Sequence, residues 1–340
     1  MRVGFALPQF DFSVPGERPL RWDSVAAWAR RAEAAGFGSL WLADHLFWDP
    51  GLYGGPPEPA ASFEPLASLG ALARVTTRAR LGTLVLCAPL RPPTVLAKAL
   101  ATLDVVSAGR LTVGIGAGWY EPEFAASGVP FLAPGQRLGQ LEEAIAVLRG
   151  MFAGGPFTFT GRHWTADGAV CLPRPVQRPA PPIVVGGRGD RLLGLVARAA
   201  DGWNTVWAWT PERYHERLRV LHAACERVGR DPSSVSLSLG LTTLVAESEA
   251  DLRRRFERLR AVAPPGVLER VSLDEWRRGR LVGTVEQVRE QVAGWADLGV
   301  DELVVCTGPV PFSVVDPGDV EAIATATTLE APWEASEHQN

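Results

Sequence analysis

Asp44 and His45 stand together just after a short apolar run, Ser39-Leu40-Trp41-Leu42-Ala43. Histidine takes or gives a proton near neutral pH, and a nearby carboxylate raises its basicity. A second group of candidates follows another apolar run. There Gly114-Ile115-Gly116-Ala117-Gly118 leads into Trp119-Tyr120-Glu121-Pro122-Glu123, and either Glu121 or Glu123 could serve as a general acid or base. A third group, Gly186-Gly187-Arg188-Gly189-Asp190, follows Ile183-Val184-Val185. Glycine lets a ligand approach the backbone, and amides at a helix start attract phosphate. Two such turns at strand ends suit a phosphate-bearing cofactor. Gly114, Gly116 and Gly118 nevertheless spell GxGxG, not the GxGxxG of dinucleotide-binding turns.

Other chemistries find no support in the spacing. There is no GxSxG elbow, and His163, His215, His222 and His338 form no metal-ligand pattern with Asp44 and His45, so no metal is expected. Cys87, Cys171, Cys225 and Cys306 lie far apart without CxxC spacing, which excludes a zinc site or a disulfide framework. Trp48, Trp119, Trp203, Trp207 and Trp209 fall near loops or strand ends and suggest a wide aromatic pocket.

The elements that must position these groups alternate strand and helix. Apolar runs at 3–7, 39–43, 79–87, 111–115, 183–185, 202–206, 235–246 and 301–306 read as eight strands, most of them buried on both faces. Between them lie helical patterns. One is capped by Asp23 or Ser24, with Val25, Ala29 and Ala32 inward; another carries Val95, Leu96, Ala99, Leu103 and Val106. A third opens on the capping box Thr284-Val285-Glu286-Gln287. Eight β/α units without a second core pattern predict a (β/α)8 TIM barrel, α/β in class, as one domain over residues 1–330. Insertions at 46–61, 154–182 and 261–282 account for the extra length, the second reading as a hairpin and the third as a lid. Residues 331–340 read as a flexible tail.

With 46% hydrophobic and 21% charged residues, a net charge of −4 and a sequence pI near 5.8, the chain has the balance of a globular protein and no basic footprint for nucleic acid or anionic membrane. No apolar stretch reaches the roughly 20 residues of a membrane span, and the N-terminus lacks a signal-peptide shape. A cytoplasmic protein acting on a small molecule is expected.

Several segments resemble the bacterial-luciferase-like superfamily of flavin and deazaflavin barrel oxidoreductases. They are AEAAGFGSLWLADHL ending at Leu46, the whole stretch from Arg78 to Phe124, PRPVQRPAPPIVVGG ending at Gly187, AADGWN ending at Asn204, and GTVEQVREQVAGWADLGVDELVV ending at Val305. Within it the chain is most similar to enzymes using coenzyme F420. The resemblance implies that Asp44 and His45 lie beside the deazaflavin ring, with His45 the proton donor or acceptor. It implies a non-proline cis peptide at Leu84–Val85 behind the ring. Cys87, Ala117 and Gly118 would contact ring or ribityl groups, and Gly186, Gly187, Gly189 and Asp190 would cradle the phosphate. Trp119 occupies a catalytic position, one that holds Glu in the sugar-phosphate dehydrogenases, and Pro122 a cofactor-contacting position that holds Asn there. With few lysines as well, sugar-phosphate oxidation is not expected. The implied activity is hydride transfer between F420 and a small, largely uncharged carbonyl, alcohol, imine or activated alkene. Alternatives are a reduced-FMN monooxygenase supplied by a separate reductase, and a non-catalytic flavin-binding barrel. A homodimer is also implied.

Overall fold

A computed structural model describes residues 1–327; the tail at 331–340 lies outside them. Eight parallel strands form a closed ring: β1 (Arg2–Ala6), β2 (Ser39–Leu42), β3 (Arg80–Thr83), β4 (Leu111–Gly116), β5 (Ile183–Gly186), β6 (Gly202–Trp207), β7 (Ser236–Ala246) and β8 (Glu302–Cys306). Each pairs with its sequence neighbour, and β8 pairs back onto β1, so the barrel has no edge. The outer layer comprises α1 (Trp22–Ala34), α2 (Pro65–Val75), α3 (Pro93–Val106), α4 (Pro134–Ala153), α5 (Asp190–Ala199), α6 (Pro211–Arg227), α7 (Val285–Asp297) and α8 (Gly318–Ala326). This is a TIM barrel, as expected from the pattern.

The strands are apolar on both faces because one face meets helices and the other meets the barrel interior. Outside, Leu40, Leu69, Leu72, Leu96, Leu100 and Ile145 belong to the main core. Inside, Trp41 fills space that its neighbours leave open. It stands in register with Gly82, where a side chain would collide with the indole at 2.3 Å. Its Nε1–H donates to Ser39 Oγ at 2.7 Å.

Several local expectations need correction. The run 79–87 is not one strand: it stops at Thr83, where the Leu84–Val85 peptide is cis, and Leu86–Cys87 pairs anew with the end of β4. Arg21, not Asp23 or Ser24, precedes the first turn of α1, and no side chain caps it. On α3, Val95 and Val106 face solvent, while Leu96, Ala97, Leu100 and Leu103 are buried. The β7 run is buried on both faces apart from its first residue, despite its alternating hydroxyls. A short helix, Glu121–Ala126, and α8 were not foreseen.

The hairpin forms as predicted, from Phe157–Thr160 and Thr165–Ala169. The 261–282 segment is no loose flap. Val267, Leu268 and Trp276 are buried against Leu244, Phe256 and Val282 in a second core. It meets the 46–61 insertion at two glycines, Gly54 and Gly266, whose backbones touch; both have positive φ, 83° and 86°.

The glycines of β4 are equally consequential. Gly114 and Gly116 lie within the strand, not in a turn. Thr83 Oγ1 donates to the Gly114 carbonyl at 2.7 Å and accepts its N–H at 3.1 Å. A Cβ on Gly114 would stand 1.8 Å from the Thr83 carbonyl oxygen. Since that atom is backbone in a closed barrel, Gly114→Ala is expected to cost about 3 kcal/mol. Denaturant unfolding measures this, and an unchanged midpoint would refute it.

Helix α8 is held by ion pairs. Arg255 donates to Asp251 at 2.9 Å and to Asp319 at 3.0 Å. Burial pushes the Asp319 carboxyl up to about 6, with Arg255 opposing and Asp316 reinforcing the rise. The folded state therefore holds this proton more tightly than the unfolded chain, whose aspartates titrate near ~4. Its stabilising contribution is present below pH ~4 and is lost as pH rises towards about 6. Asp319→Asn is expected to flatten the stability–pH curve across that window, as thermal melts in a buffer series will show.

Candidate active site

The C-terminal strand ends open into a cavity of about 540 Å³, well within the range of small-ligand sites. Its position is set at the end of β2. Gln9 continues the sheet past β1 with its side chain: its Oε1 accepts the Ala43 N–H at 2.7 Å, and its Nε2 donates to the Ala43 and Phe63 carbonyls. The next residues diverge. The Asp44 side chain is fully buried, and its oxygens are taken by the Arg91 fork at 2.6 and 2.8 Å and by the Cys87 N–H at 2.8 Å. Asp44 is thus tied to Arg91 and the Cys87 amide, and it does not line the main cavity.

His45 lines that cavity. Its Nδ1 lies 3.0 Å from Glu123 Oε2. A carboxylate accepts and does not donate, so Nδ1 carries the proton in that contact and Nε2 is the basic nitrogen. Nε2 has no hydrogen-bond partner among the described residues. The other Glu123 oxygen accepts the Leu46 N–H. Glu123 is 3% exposed and Glu121 lies on the surface, so the structure chooses between the two candidates.

Aromatic rings enclose the imidazole. Trp48 lies near-parallel to it at 6.1 Å, and Trp119 and Tyr120 present edges at 5.5 and 6.0 Å. Trp119 is 52% exposed, at the rim. Its indole has no group that titrates near neutrality, so it forms a wall and cannot carry acid–base work. Tyr120 donates to the Asp49 carboxylate; partial burial and that bond push its hydroxyl up to about 12. Phe10, Phe312 and Trp207 complete the apolar side, Phe312 edge-on to Trp207 at 5.3 Å. Trp203 and Trp209 do not contribute to the pocket. Both are buried in the core, packed against Tyr214.

Opposite His45, Leu84 and Val85 reach the cavity, as do Gly186 and Gly187. Val85 sits over three glycines: a Cβ on Gly114, Gly116 or Gly186 would meet its methyl groups at 3.1, 2.9 or 2.8 Å. The first glycine cluster thus makes room for Val85 and does not bind phosphate as a turn. Gly118 is the exception, with φ 76°, and a side chain there would strike Cys87 Sγ at 2.5 Å. Cys87, Gly118 and Glu123 share a smaller crevice of about 50 Å³ beside the main cavity. Burial, with Asp44 and Glu123 nearby, pushes the Cys87 thiol up to about 12, so it is no nucleophile. Ala117 and Pro122 line neither space. Gly189 and Asp190 lie exposed at the start of α5, with Asp190 paired to Arg217 at 2.7 Å.

Arg91, Gln9, Asn204 and Phe312 escaped the sequence reading of the site. So did a second non-proline cis peptide, Val206–Trp207, at the cavity wall. None has a local signature: each acquires its place through partners distant in sequence. Among the described residues, no group of three or more His, Cys, Asp or Glu is placed to hold a metal ion. No helix among them is long and apolar enough to cross a membrane.

The Glu123–His45 pair thus lies at the C-terminal mouth of a closed barrel, and comparison with known proteins specifies the class of protein. A model of the luciferase-like monooxygenases matches residues 1–302, and the chain belongs to that family. It is 35% identical to the F420-dependent glucose-6-phosphate dehydrogenase of Microbacterium testaceum over 206 residues, 60% of this chain and 59% of that one. It is 28% identical to the F420-dependent hydroxymycolic acid dehydrogenase of Mycobacterium tuberculosis over 301 residues, 86% of this chain and 79% of that one. The monooxygenase RslO1 of Streptomyces bottropensis shares the fold, with a TM-score of 0.75, 24% identity and coverage of 96% and 99%. The protein is thus a flavin- or F420-type oxidoreductase or monooxygenase.

Glu123→Ala would strand the Leu46 N–H and His45 Nδ1, and is expected to cost about 1–3 kcal/mol in denaturant unfolding. Trp119→Ala, at the exposed rim, is expected to stay within about 0.5 kcal/mol of wild type. Equal effects would contradict the two assignments.

Proposed function

We propose that the protein is an F420-dependent oxidoreductase acting on a small, largely uncharged carbonyl, alcohol, imine or activated alkene. The observation that carries this reading is the His45–Glu123 pair facing a cavity walled by Phe10, Trp48, Trp207 and Phe312. Such a wall favours an apolar substrate body, and among the described residues His45 is the histidine that lines it, with Nε2 unpaired. The two F420-dependent relatives support the choice of cofactor.

The residues present fit such a cofactor. Val85 and Leu84 offer an apolar face backed by glycines, and Gly186–Gly187 leave backbone uncovered along the same wall. Leu84, Val85 and Gly118 would hold the ring side, and Gly186, Gly187, Gly189 and Asp190 the phosphate side. The cofactor would supply the hydride-transfer chemistry. Glu123 fixes the ring plane and tautomer of His45, whose Nε2 moves the proton at the substrate oxygen or nitrogen. The aromatic walls exclude water, and Trp119 borders the entrance. Lys98, the chain's only lysine, lies on α3 and reaches the Leu172 carbonyl, so no lysine is available to a substrate phosphate.

The test begins with protein freed of cofactor and titrated separately with F420 and FMN. Fluorescence quenching is expected to report tight F420 binding and weak FMN binding. With F420, a panel of secondary alcohols and ketones should then give turnover. His45→Ala is expected to keep F420 binding and lose about 10²–10⁴-fold in kcat. Tight FMN binding with oxygen-dependent turnover would replace this reading by a reduced-flavin monooxygenase served by a separate reductase. Cofactor binding with rates untouched by His45→Ala would leave a non-catalytic flavin-binding barrel.

A further inference from the structure

The small crevice beside the main cavity holds an unusual charge arrangement. Asp44 and Glu123, whose side chains are 0% and 3% exposed, both line it, together with His45 and Cys87. A single permanent cation serves this pair of buried carboxylates. Arg91 grips Asp44 with both arms, and its Nη2 also reaches Glu64 at 2.9 Å. Glu123 has only His45 and the Leu46 amide.

We propose that Arg91 is a positioning residue that sets the proton affinity of His45, by cancelling the charge of the buried carboxylate next to it. The inference rests on reading His45 as the proton-handling group. With Arg91 in place, the Asp44 pair is neutral and Glu123 is the one buried anion that His45 senses. Without Arg91, an unpaired buried carboxylate lies one residue from the imidazole, and the imidazolium becomes the favoured form. The remaining charged or titratable neighbours do not supply this control. Tyr120 is a neutral donor to Asp49, Cys87 stays a thiol, and Tyr53 is separated from His45 by Trp48, with its hydroxyl pushed up to about 12 by burial. Glu64 shares Arg91 Nη2 with Asp44 but is at the surface, where solvent screens its charge. Arg188 is exposed at the cavity rim. The same fork fixes the backbone, because the Asp44 oxygen that binds Arg91 Nη1 also accepts the Cys87 N–H.

The test is a proton NMR titration of the histidines in the full chain without cofactor, with the His45 signal assigned through His45→Gln. Arg91→Met is expected to raise the His45 midpoint by about one pH unit. Asp44→Asn/Arg91→Met, which removes both charges, is expected to restore it. Arg91→Lys keeps the charge but not the fork, so the midpoint should hold while the Cys87 amide exchanges about tenfold faster. Should Arg91→Met fail to fold, Asp44→Asn alone serves: with Arg91 uncompensated, the midpoint must fall. A folded Arg91→Met with an unmoved midpoint overturns the proposal, as does a shift that persists in the double variant. Because the readout needs no turnover, it separates from the functional reading. A shifted midpoint in a protein without F420-dependent activity would sink that reading and leave the role of Arg91 standing.

Discussion

The contact between Val85 and three glycines on two neighbouring strands is the constraint from which the mouth of the barrel follows. Gly114 and Gly116 on β4 and Gly186 on β5 leave a depression one side chain deep, and Val85 occupies it. To reach it the chain must leave β3 after Thr83 and rejoin the sheet at Leu86–Cys87 against the end of β4. That detour carries the Cys87 amide to Asp44 and the Val85 methyls to the cavity wall. One packing requirement thus shapes both the floor of the binding site and the support of the residue preceding His45.

Electrostatics complete the arrangement at low dielectric. Burying a carboxylate without a partner is costly, and each of the two here has its own answer. Asp44 is matched by a bidentate guanidinium that never loses its charge; Glu123 is matched by a histidine and a backbone amide. The first pairing is permanent and holds structure. The second depends on protonation, which is the property a proton-transfer site needs. Two adjacent residues on one strand end are therefore held by partners of different kinds.

Much of this was legible in the sequence, and the divisions are physical. Strands buried on both faces announce themselves as continuous apolar runs, so the eight-stranded barrel was readable, as was the delivery of His45 at the end of β2. The resemblance also anticipated the Leu84–Val85 peptide. Long-range pairings were not readable. Glu123 is 78 residues from His45, and Arg91 47 residues from Asp44, and no periodicity links either pair. Glycines misled for a related reason: GIGAG looks like a turn, but the demand for glycine comes from another segment, from the Thr83 carbonyl and Val85 at 114 and from Val85 at 116. Trp203 and Trp209 looked like pocket residues because strand ends are where pockets form, whereas Tyr214 on α6 draws both into the core. Helix α8 buries only Val320, Ile323 and Ala326 in the main core, a short stripe, and adds the Arg255–Asp319 ion pair.

The seam between the two insertions has a different import. Where the 46–61 and 261–282 segments meet, Gly54 and Gly266 contribute backbone alone. Around that backbone contact, however, Tyr53 packs against the second core and a Val267 methyl lies over Gly55. Tyr53 also lines the cavity, so a cavity-facing residue of one insertion belongs to its joint with the other. The roof over the cavity is therefore one coupled unit, in which a change made in one insertion is felt by its neighbour.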